Sequence, residues 1–349
     1  MDIREATDSD NQQLLEIQKK SPMGSDLVLQ LDSSPDFFNR STGYANWTVL
    51  VAEEGGKILG AAGYTLQEKL INGKSHSLVY EYGFMVDPDA RRKGVASALQ
   101  SEIEKRNPDV DYFHLNITED NTASHGFFTR QGFTPVRDCA PYMLMAYKEH
   151  QVDPYRIKQV KPGDIPVIVD LLNQTYADYE MFTPFTTESL TELIERLPFF
   201  NLSDLILYDQ DSVRAVAGFW DYDKIMKFTM LGFNTKWKLM RLVTNFMGKF
   251  TDMPRIPGVG EQMTNGYLMF LGYRDPDAAE QLIRYILNHA KSQGVGMVSL
   301  PLDKESHVKE VLSSFRHGEG SFIWYMKPNS GRELPNILGK ALYVDPRDV

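Results

Sequence analysis

The sequence predicts an α+β protein built from two tandem domains of the same fold. The chain has 349 residues, and because a single domain commonly has about 100–200 residues, two domains are expected. Residues 1–150 alternate strand and helix patterns in the order β-α-β-β-β-α-β-α-β-β. Short segments of this part recur in the same order later in the chain. We therefore predict one domain over residues 1–150 and a second over residues 151–349.

The elements of the first domain follow from local residue patterns. Segments rich in β-branched and aromatic residues predict strands at 3–6, 47–52, 58–66, 77–86, 112–117, 133–136 and 142–147. Helices are predicted at 10–19, 93–106 and 122–131. Asp8 and Asp10 provide a cap for the first helix. The second helix is amphipathic, because Val95 and Leu99 fall on one face, and Gly132 ends the third in a left-handed conformation.

The second half repeats three segments of the first. The matched pairs are residues 3–10 with 157–164, residues 61–64 with 216–219, and residues 87–90 with 275–278. The last pair reads Asp-Pro-Asp-Ala in both copies and precedes a helix pattern each time, the second one at 279–293. Three matches in one order indicate an internal duplication.

Composition excludes several classes of protein. With 37 Lys and Arg against 47 Asp and Glu, the net charge of −10 argues against nucleic-acid binding. Cys139 is the only cysteine, and the seven histidines show no zinc-binding spacing, so we expect neither a disulfide nor a metal. No apolar run reaches the roughly 18 residues that cross a bilayer, and residues 1–5 lack the apolar character of a signal peptide. We expect a cytoplasmic protein with no nucleic-acid or membrane partner, and the oligomeric state stays open.

The second half carries an insertion at about residues 221–266, with a helix predicted at 236–250. Between Lys224 and Arg255, Asp252 is the only acidic residue, and the basic residues are Lys224, Lys227, Lys236, Lys238, Arg241, Lys249 and Arg255. Apolar residues recur every three or four positions, at Trp237, Met240, Val243, Met247 and Phe250. A basic amphipathic helix contacts a membrane or RNA, or packs its apolar stripe on its own protein. We favour packing on the protein, as is usual for a surface helix.

The strongest chemical signal lies where the strand ending at Val86 leads into the helix that opens at Gly94. The first amides of a helix have no internal partner and lie at the positive end of its dipole, so they bind anions. Gly94 and Ala96 leave room for a phosphate, and Arg92 and Lys93 add positive charge. This segment therefore predicts a phosphate site.

Two motifs resemble those of the GNAT N-acetyltransferases. Arg91-x-x-Gly94-x-Ala96 resembles the pyrophosphate signature of that family, Arg/Gln-x-x-Gly-x-Gly/Ala. Residues 121–133 resemble its later motif, Asn-x-x-Ala/Ser-x-x-Phe/Leu-Tyr-x-x-x-Gly-Phe. The resemblance covers residues 1–148 and implies, for each half, a mixed, mostly antiparallel sheet flanked by helices. It also implies an acyltransferase that uses acetyl-CoA as its co-substrate.

The resemblance assigns the acetyl-CoA site residue by residue. In this family the strand before the pyrophosphate turn splays from its neighbour at a bulge, and the pantetheine arm pairs with the backbone there. The amide near Val86 would polarise the thioester carbonyl. The implied cofactor-binding residues are Met85, Val86, Arg91, Arg92, Lys93, Gly94, Val95, Ala96, Ser97, Asn121, Ser124, Phe127 and Phe128.

The second half lacks the pyrophosphate signature. No glycine follows residues 275–278, and Glu280 stands where it would repel a phosphate. We therefore predict a degenerate second domain that completes the acceptor pocket of the first or holds the two domains together.

The predicted reaction is direct attack of an amine on the thioester. An alkylammonium has a pKa of about 10.4 and must lose a proton before it attacks, so a base is required. Glu81 lies where several family members carry a catalytic glutamate. Tyr82 follows it, and neighbouring strand residues face opposite sides, so only one of the two faces the substrate. The alternative for Glu81 is a solvated or salt-bridged strand residue.

One position departs from the family. The tyrosine proposed to protonate the leaving thiolate is Phe128 here, which has no proton to give. Either Tyr142, His125 or Tyr82 takes that role, or the thiolate leaves unaided, since a thiol pKa is about 8.5.

These observations predict an N-acetyltransferase that acts on a primary amine of a small molecule or peptide. The alternative is a non-catalytic, acetyl-CoA-responsive binding or scaffold protein, which Phe128 and the degenerate second half favour. Neither the acceptor nor the acyl length follows from the residue pattern.

Overall fold

The first half of the chain forms the predicted elements, except that its last two predicted strands are one, and it has two more. The computed structural model describes residues 1–248, 250–251, 253–337 and 339–349. Elements of the first half are β1 (Asp2–Glu5), α1 (Asn11–Lys19), β2 (Leu27–Asp32), α2 (Asn39–Thr42), β3 (Trp47–Glu54), β4 (Lys57–Ile71), β5 (Lys74–Val86), α3 (Val95–Arg106), β6 (Tyr112–Thr118), α4 (Thr122–Arg130) and β7 (Thr134–Met145). The additions are β2 and α2, which no residue pattern had indicated.

The second half repeats this order around its insertion. Its elements are β8 (Ile157–Gln159), α5 (Ile165–Thr175), α6 (Thr187–Arg196), β9 (Leu205–Asp209), β10 (Val213–Trp220), β11 (Lys227–Phe233), α7 (Thr235–Met247), β12 (Gln262–Met263), β13 (Asn265–Tyr273), α8 (Pro276–Ser292), β14 (Met297–Asp303), α9 (Val308–Leu312), β15 (His317–Glu319) and β16 (Phe322–Pro328). Of the insertion, Lys249 and Asp252 lie outside the described residues.

The two halves share one sheet. Among the described residues its order is β1-β3-β4-β5-β6-β16-β7-β14-β13-β10-β9-β8, and β15 also pairs with β7. Counted inward from the two edges of this sheet, β5 and β13 are both the fourth strand, and β6 and β14 are both the fifth. We therefore treat β5 and β13, and β6 and β14, as corresponding strands. Each of these corresponding pairs, β5 with β6 and β13 with β14, is parallel. The fold is therefore a tandem of two mixed, mostly antiparallel units, as the sequence predicts.

The halves exchange their last strands. β16 comes from the second half but lies between β6 and β7 of the first. β7 continues past Cys139 into the second half, where it pairs with β14 and β15. Each half therefore completes its sheet with a strand from the other.

This exchange corrects one prediction. We predicted two strands, at 133–136 and 142–147, that both close the first domain, whereas one continuous strand spans both and its second part belongs to the sheet of the second half. Pro141 lies opposite Pro301 in this stretch. Neither proline has an amide to donate, so the pair fits into the ladder without an unsatisfied donor.

The hydrophobic cores follow the exchange. Tyr325 of β16 packs in the first-half cluster with Leu99 and Phe128. Tyr142 and Leu144 of β7 are buried in the large second-half cluster. Each core thus includes side chains that the other half supplies, which couples the folding of the two. Of the helices described, none has the length and apolar character to span a bilayer.

Candidate active site

A gap opens between β5 and β6 in the first half. The two strands pair in parallel from Leu78 and Tyr112 to Tyr80 and His114, and no further. Beyond Tyr80, the pairing of β5 with β4 shifts register next to Gly83, whose φ is +64°. This shift is a β-bulge, which bends a strand away from its neighbour. The structure therefore has the splayed strands and the bulge that the resemblance implies.

The bulge sets which backbone groups face the gap. The amide of Asp87 donates to the carbonyl of Leu59 on the β4 side, at 2.8 Å. Backbone groups alternate between the two edges of a strand, so the amide of Val86 faces the opposite edge, toward the gap. The side chain of Met85 is buried in a core cluster with Leu14 and Val51. Of the two predicted residues, Val86 therefore presents its amide to the gap.

The start of α3 forms an uncapped turn. Gly94 precedes the helix with φ +80°, and no side chain in the described part of the chain caps it. The first helical hydrogen bond runs from the Ala98 amide to the Gly94 carbonyl. The preceding amides, of Val95, Ala96 and Ser97, therefore have no helical acceptor.

The predicted basic residues surround this turn. Arg91, Arg92 and Lys93 are exposed, as are Gly94 and Ser97. A group of free amides with three cations beside it can bind a pyrophosphate.

The second motif lies on α4. The Asn121 side chain accepts a hydrogen bond of 3.1 Å from the Ser124 amide, so it caps the helix. Ser124 and Phe127 are half-buried. Phe128 is buried, with its ring 5.1 Å from that of Phe84 in the bulge. Position 128 thus supplies packing beneath the gap and no proton.

Glu81 faces α3. It is 2% exposed, and its Oε1 accepts a hydrogen bond of 2.8 Å from Gln100 Nε2. Its Oε2 has no partner among the described residues. Burial raises the pKa of Glu81 to about 8. Glu81 is therefore neither solvated nor salt-bridged, and it lies on the side of the sheet that α3 covers.

Tyr82 faces the opposite side of the sheet, in a tyrosine cluster made of Arg40, Tyr44, Tyr80, Tyr82 and Asp348. The rings of Tyr80 and Tyr82 stack at 5.7 Å, and Tyr44 lies 5.5 Å from Tyr82. Arg40 lies over the Tyr82 ring at 5.3 Å. The Tyr82 hydroxyl donates to Ser41 Oγ at 2.8 Å. Burial raises the pKa of Tyr82 to about 12, so this hydroxyl keeps its proton.

Asp348 is the residue of this cluster that sequence reasoning missed. Its carbonyl accepts hydrogen bonds from the Tyr80 hydroxyl and from Asn116 Nδ2, so it lies at the point where β5 and β6 separate. Its Oδ1 accepts from the Tyr44 hydroxyl at 3.0 Å and from Gln67 Nε2 at 3.1 Å. Its Oδ2 is buried and has no partner among the described residues.

The charge state of Asp348 is set by its surroundings. Burial, with the neighbouring Asp345 carboxylate, raises the pKa of Asp348. Arg347 binds Asp345 through two hydrogen bonds, of 3.0 and 2.6 Å, and donates to the Gly43 carbonyl. This ion pair fixes the segment in place. No motif in the sequence marks Asp348, because its partners are more than 200 positions away.

The other two candidates for the proton donor lie elsewhere. Tyr142 pairs with Leu300 and Glu319 of the second half, and β6 and β16 separate its strand from β5. Strands are spaced by about 4.8 Å, so about 14 Å divides β7 from β5. His125 bonds the Tyr325 hydroxyl of the exchanged strand at 2.8 Å. Of the three candidates, the structure brings Tyr82 into the tyrosine cluster.

The second half has a corresponding gap, but its own chain occupies the space. β13 and β14 pair only from Asn265 to Tyr267. Beyond that point a small cavity is lined by Leu268 and Leu300 from the two strands and by Tyr343 and Pro346 from the end of the described chain.

The helix that follows this second gap has its own anionic cap. The Asp275 side chain accepts from the Asp277 amide at 3.0 Å, where a phosphate would otherwise bind. Glu280 pairs with Arg284 at 3.2 Å. Both features disfavour a second pyrophosphate site. Within the described ranges, no group of three or more His, Cys, Asp or Glu side chains is placed to hold a metal ion.

Comparison with known proteins agrees with this geometry. Residues 11–133 match the model of the Acetyltransferase (GNAT) family. The first half therefore carries the match to this family, and the whole chain has the tandem GNAT fold. No curated protein matches the chain significantly in sequence.

Solved structures resemble the chain over nearly all of its length. Saccharomyces cerevisiae N-myristoyltransferase with bound myristoyl-CoA superposes with a TM-score of 0.63 at 14% identity, covering 96% of this chain and 80% of that one. The GCN5-related glucosamine N-acetyltransferase region of a fungal multi-domain GH3 β-N-acetylglucosaminidase gives 0.59 at 13% identity, covering 93% and 38%. A GCN5-related N-acetyltransferase from Sphaerobacter thermophilus gives 0.54 at 13% identity, covering 96% and 98%. At these identities the likeness concerns the fold.

Proposed function

We propose that this protein is an N-acetyltransferase that transfers the acetyl group of acetyl-CoA to a primary amine. One observation carries the proposal. The gap beside Val86 joins two sites, because the uncapped α3 turn lies at one end and the buried Asp348 carboxylate lies at the other. The first suits a pyrophosphate and the second suits an ammonium group.

The co-substrate would be held by backbone groups and surface cations. The amides of Val95, Ala96 and Ser97 would bind the pyrophosphate, with Arg92 and Lys93 beside them. The pantetheine arm would lie in the gap along β5. The Val86 amide would donate to the thioester oxygen and stabilise the negative charge that develops there.

A small acyl group fits the residues at the bulge. Phe84 lies 5.1 Å from Phe128, and Phe127 lies 4.9 Å from Phe128. These three rings pack together beside the gap. Because they fill space that a long acyl chain would need, the site favours an acetyl group. Myristoyl-CoA binding, seen in a structure of the same fold, is the outcome that this packing disfavours.

We propose Asp348 as the base, in place of Glu81. The main-chain carbonyl of Asp348 lies where β5 and β6 separate, and its buried Oδ2 has no partner among the described residues. Glu81, in contrast, is covered by α3 and bonded to Gln100. The amine loses a proton to Asp348 and attacks the carbonyl carbon. A C–N bond forms, the C–S bond breaks, and the sulfur leaves as thiolate. Because Asp348 is 1% exposed, the acceptor reaches it when the tyrosine cluster opens.

The second half would complete the acceptor site. Tyr222 and Tyr267 of that half lie near enough to Arg40 to interact with it electrostatically. The Tyr267 hydroxyl donates to the main-chain oxygen of Val349 at 3.1 Å, next to Asp348. An acceptor entering here meets side chains of both halves, which supports a working first domain and a degenerate second one.

Calorimetry with acetyl-CoA tests the cofactor site, and thiol release with a panel of primary amines tests the reaction. We expect one site per chain and amine-dependent release. Acetyl-CoA binding without thiol release for any amine would favour the non-catalytic alternative. The observation that favours this alternative is Phe128, which has no proton to give. Two sites per chain would contradict a degenerate second half. Tighter binding of myristoyl-CoA than of acetyl-CoA would contradict the choice of donor.

A further inference from the structure

Helix α7 presents its apolar side to solvent. Leu239, Leu242 and Phe246 are 64%, 69% and 60% exposed, and Phe250, which follows the helix, is 75% exposed. With 100° of rotation per residue, Leu239, Leu242, Val243 and Phe246 fall on one face of α7. The described residues of α7 include no buried side chain. Of the predicted stripe, Met240, Val243, Met247 and Phe250 are exposed and Trp237 is half-buried. The prediction that this helix packs its stripe on its own protein is therefore wrong.

The polar side of α7 faces the protein. Arg241 Nε donates to the Pro257 carbonyl at 3.1 Å. Asn245 Nδ2 donates to the Ile256 carbonyl at 3.0 Å, and Asn245 Oδ1 accepts from the Ile256 amide at 2.8 Å. These bonds fix the rotation of the helix about its axis. The apolar face cannot turn inward without breaking them.

The helix is also anchored at its start. Asn234 caps it, and the Asn234 amide donates to the Asp26 carbonyl at 2.8 Å. The preceding strand, β11, pairs with β2 of the first half. The apolar face is therefore held on a rigid base, and Phe233, Leu242, Phe246 and Val259 line an open groove along it.

The charges around this face indicate what kind of partner it binds. α7 carries Lys236, Lys238 and Arg241 and no acidic residue, in a chain whose net charge is −10. Lys236 and Lys238 are exposed and lie on the two flanks of the apolar face. A second copy of the chain would place the same cations against each other, and RNA would leave the apolar side chains without a partner.

We propose that α7 is an interfacial helix that docks the protein on an anionic lipid surface. Its leucines and phenylalanines enter the boundary between headgroups and acyl chains, and the two lysines contact lipid phosphates. The proposal is independent of the acyl transfer reaction.

Flotation of the full-length protein with vesicles tests the proposal. We expect binding to phosphatidylcholine vesicles that contain about 30% phosphatidylglycerol, and much weaker binding to pure phosphatidylcholine. The double variant Leu242→Asp/Phe246→Asp should bind at least tenfold more weakly. Lys236→Gln and Lys238→Gln should each weaken binding about fivefold, because a lysine near an anionic surface contributes about that factor.

A matched control separates the helix from a general effect of charge. Tyr155 is 91% exposed and lies outside the insertion, so Tyr155→Asp should bind vesicles as the wild type does. Thermal melting and acetyl-CoA affinity confirm that each variant is folded. Equal loss with Tyr155→Asp, or no binding of wild type to anionic vesicles, would overturn the proposal. A third result would also overturn it: the wild type forms a dimer and does not bind vesicles, and Phe246→Asp dissociates that dimer.

Discussion

Asn116 Nδ2 donates a hydrogen bond of 2.9 Å to the main-chain carbonyl of Asp348. Asn116 lies on β6, just past the last residue that pairs with β5. The bond therefore places the main chain of Asp348 beside the opening between these strands. This placement is the reason for choosing Asp348 as the base, and it can be tested by substitution.

Asp348→Asn should lower kcat by about 10²–10⁴-fold, the usual contribution of a general base. The affinity for acetyl-CoA, measured by calorimetry, should stay unchanged because the pyrophosphate site is remote. Glu81→Gln should keep kcat within a few-fold of wild type. The reverse pattern, with Glu81→Gln inactive and Asp348→Asn active, would return the role of base to Glu81.

The rate should rise with pH through the pKa of Asp348. Burial and Asp345 raise this pKa, so protonation suppresses the base at a pH where an ordinary aspartate is ionised. The measurement is kcat/KM against pH for an acceptor whose own ionisation is known. An acidic limb that persists unchanged in Asp348→Asn would assign the titration to another group.

Glu81 should make the fold less stable as pH rises. Its pKa is about 8 when folded and about 4.5 when unfolded, so between these values the folded state binds more protons. Stability from this group is therefore lost as pH rises from 4.5 to 8. In Glu81→Gln, the fall in the free energy of unfolding between pH 4.5 and pH 8 should be smaller by up to about a few kcal/mol. Melting temperatures of both proteins at pH 5 and pH 8 measure it, and equal slopes would contradict the assignment.

Gly94→Val should weaken acetyl-CoA binding at least tenfold. A Cβ at this position meets no atom of the described residues within 4 Å, so the fold has room for it, while the side chain would intrude on the phosphate site. The left-handed φ adds about 1–2 kcal/mol of strain. Gly55→Val is the matched control, because Gly55 also has a positive φ and open surroundings. Equal affinity in the two variants would contradict the site.

The two halves should stay associated after the connection between them is cut. A protease site inserted in the loop between β7 and β8 allows this test on the folded protein. Because β16 lies inside the first half and β7 inside the second, separation would expose both cores. Size-exclusion chromatography after cleavage should give one peak, and two separate halves would contradict the exchange.

Local patterns sufficed for much of the fold and of the cofactor site. Strand and helix positions followed from residue periodicity, and the Gly94 turn followed from the spacing of Arg91, Gly94 and Ala96. Such features depend on neighbours within a few positions, so the chain alone reveals them. The exchanged strands could not be predicted in this way, because β7 looks the same whichever half it pairs with.

The face of α7 shows the same limit. Periodicity correctly indicated an amphipathic helix, but not which side meets the protein. The bonds of Arg241 and Asn245 to residues 256–257 decide that orientation. These hydrogen bonds hold the polar side of α7 against the protein, so the apolar side stays in solvent.

The sequence by itself determined the tandem architecture, the GNAT resemblance and the phosphate-binding turn, because each is written in residues close together in the chain. Only the tertiary structure decided that Glu81 faces α3 and Tyr82 faces the tyrosine cluster, that Asp348 lies at the gap, and that the halves exchange strands. These depend on contacts between residues distant in the chain, such as those of Tyr44 and Asn116 with Asp348, which form when the chain folds and leave no local pattern.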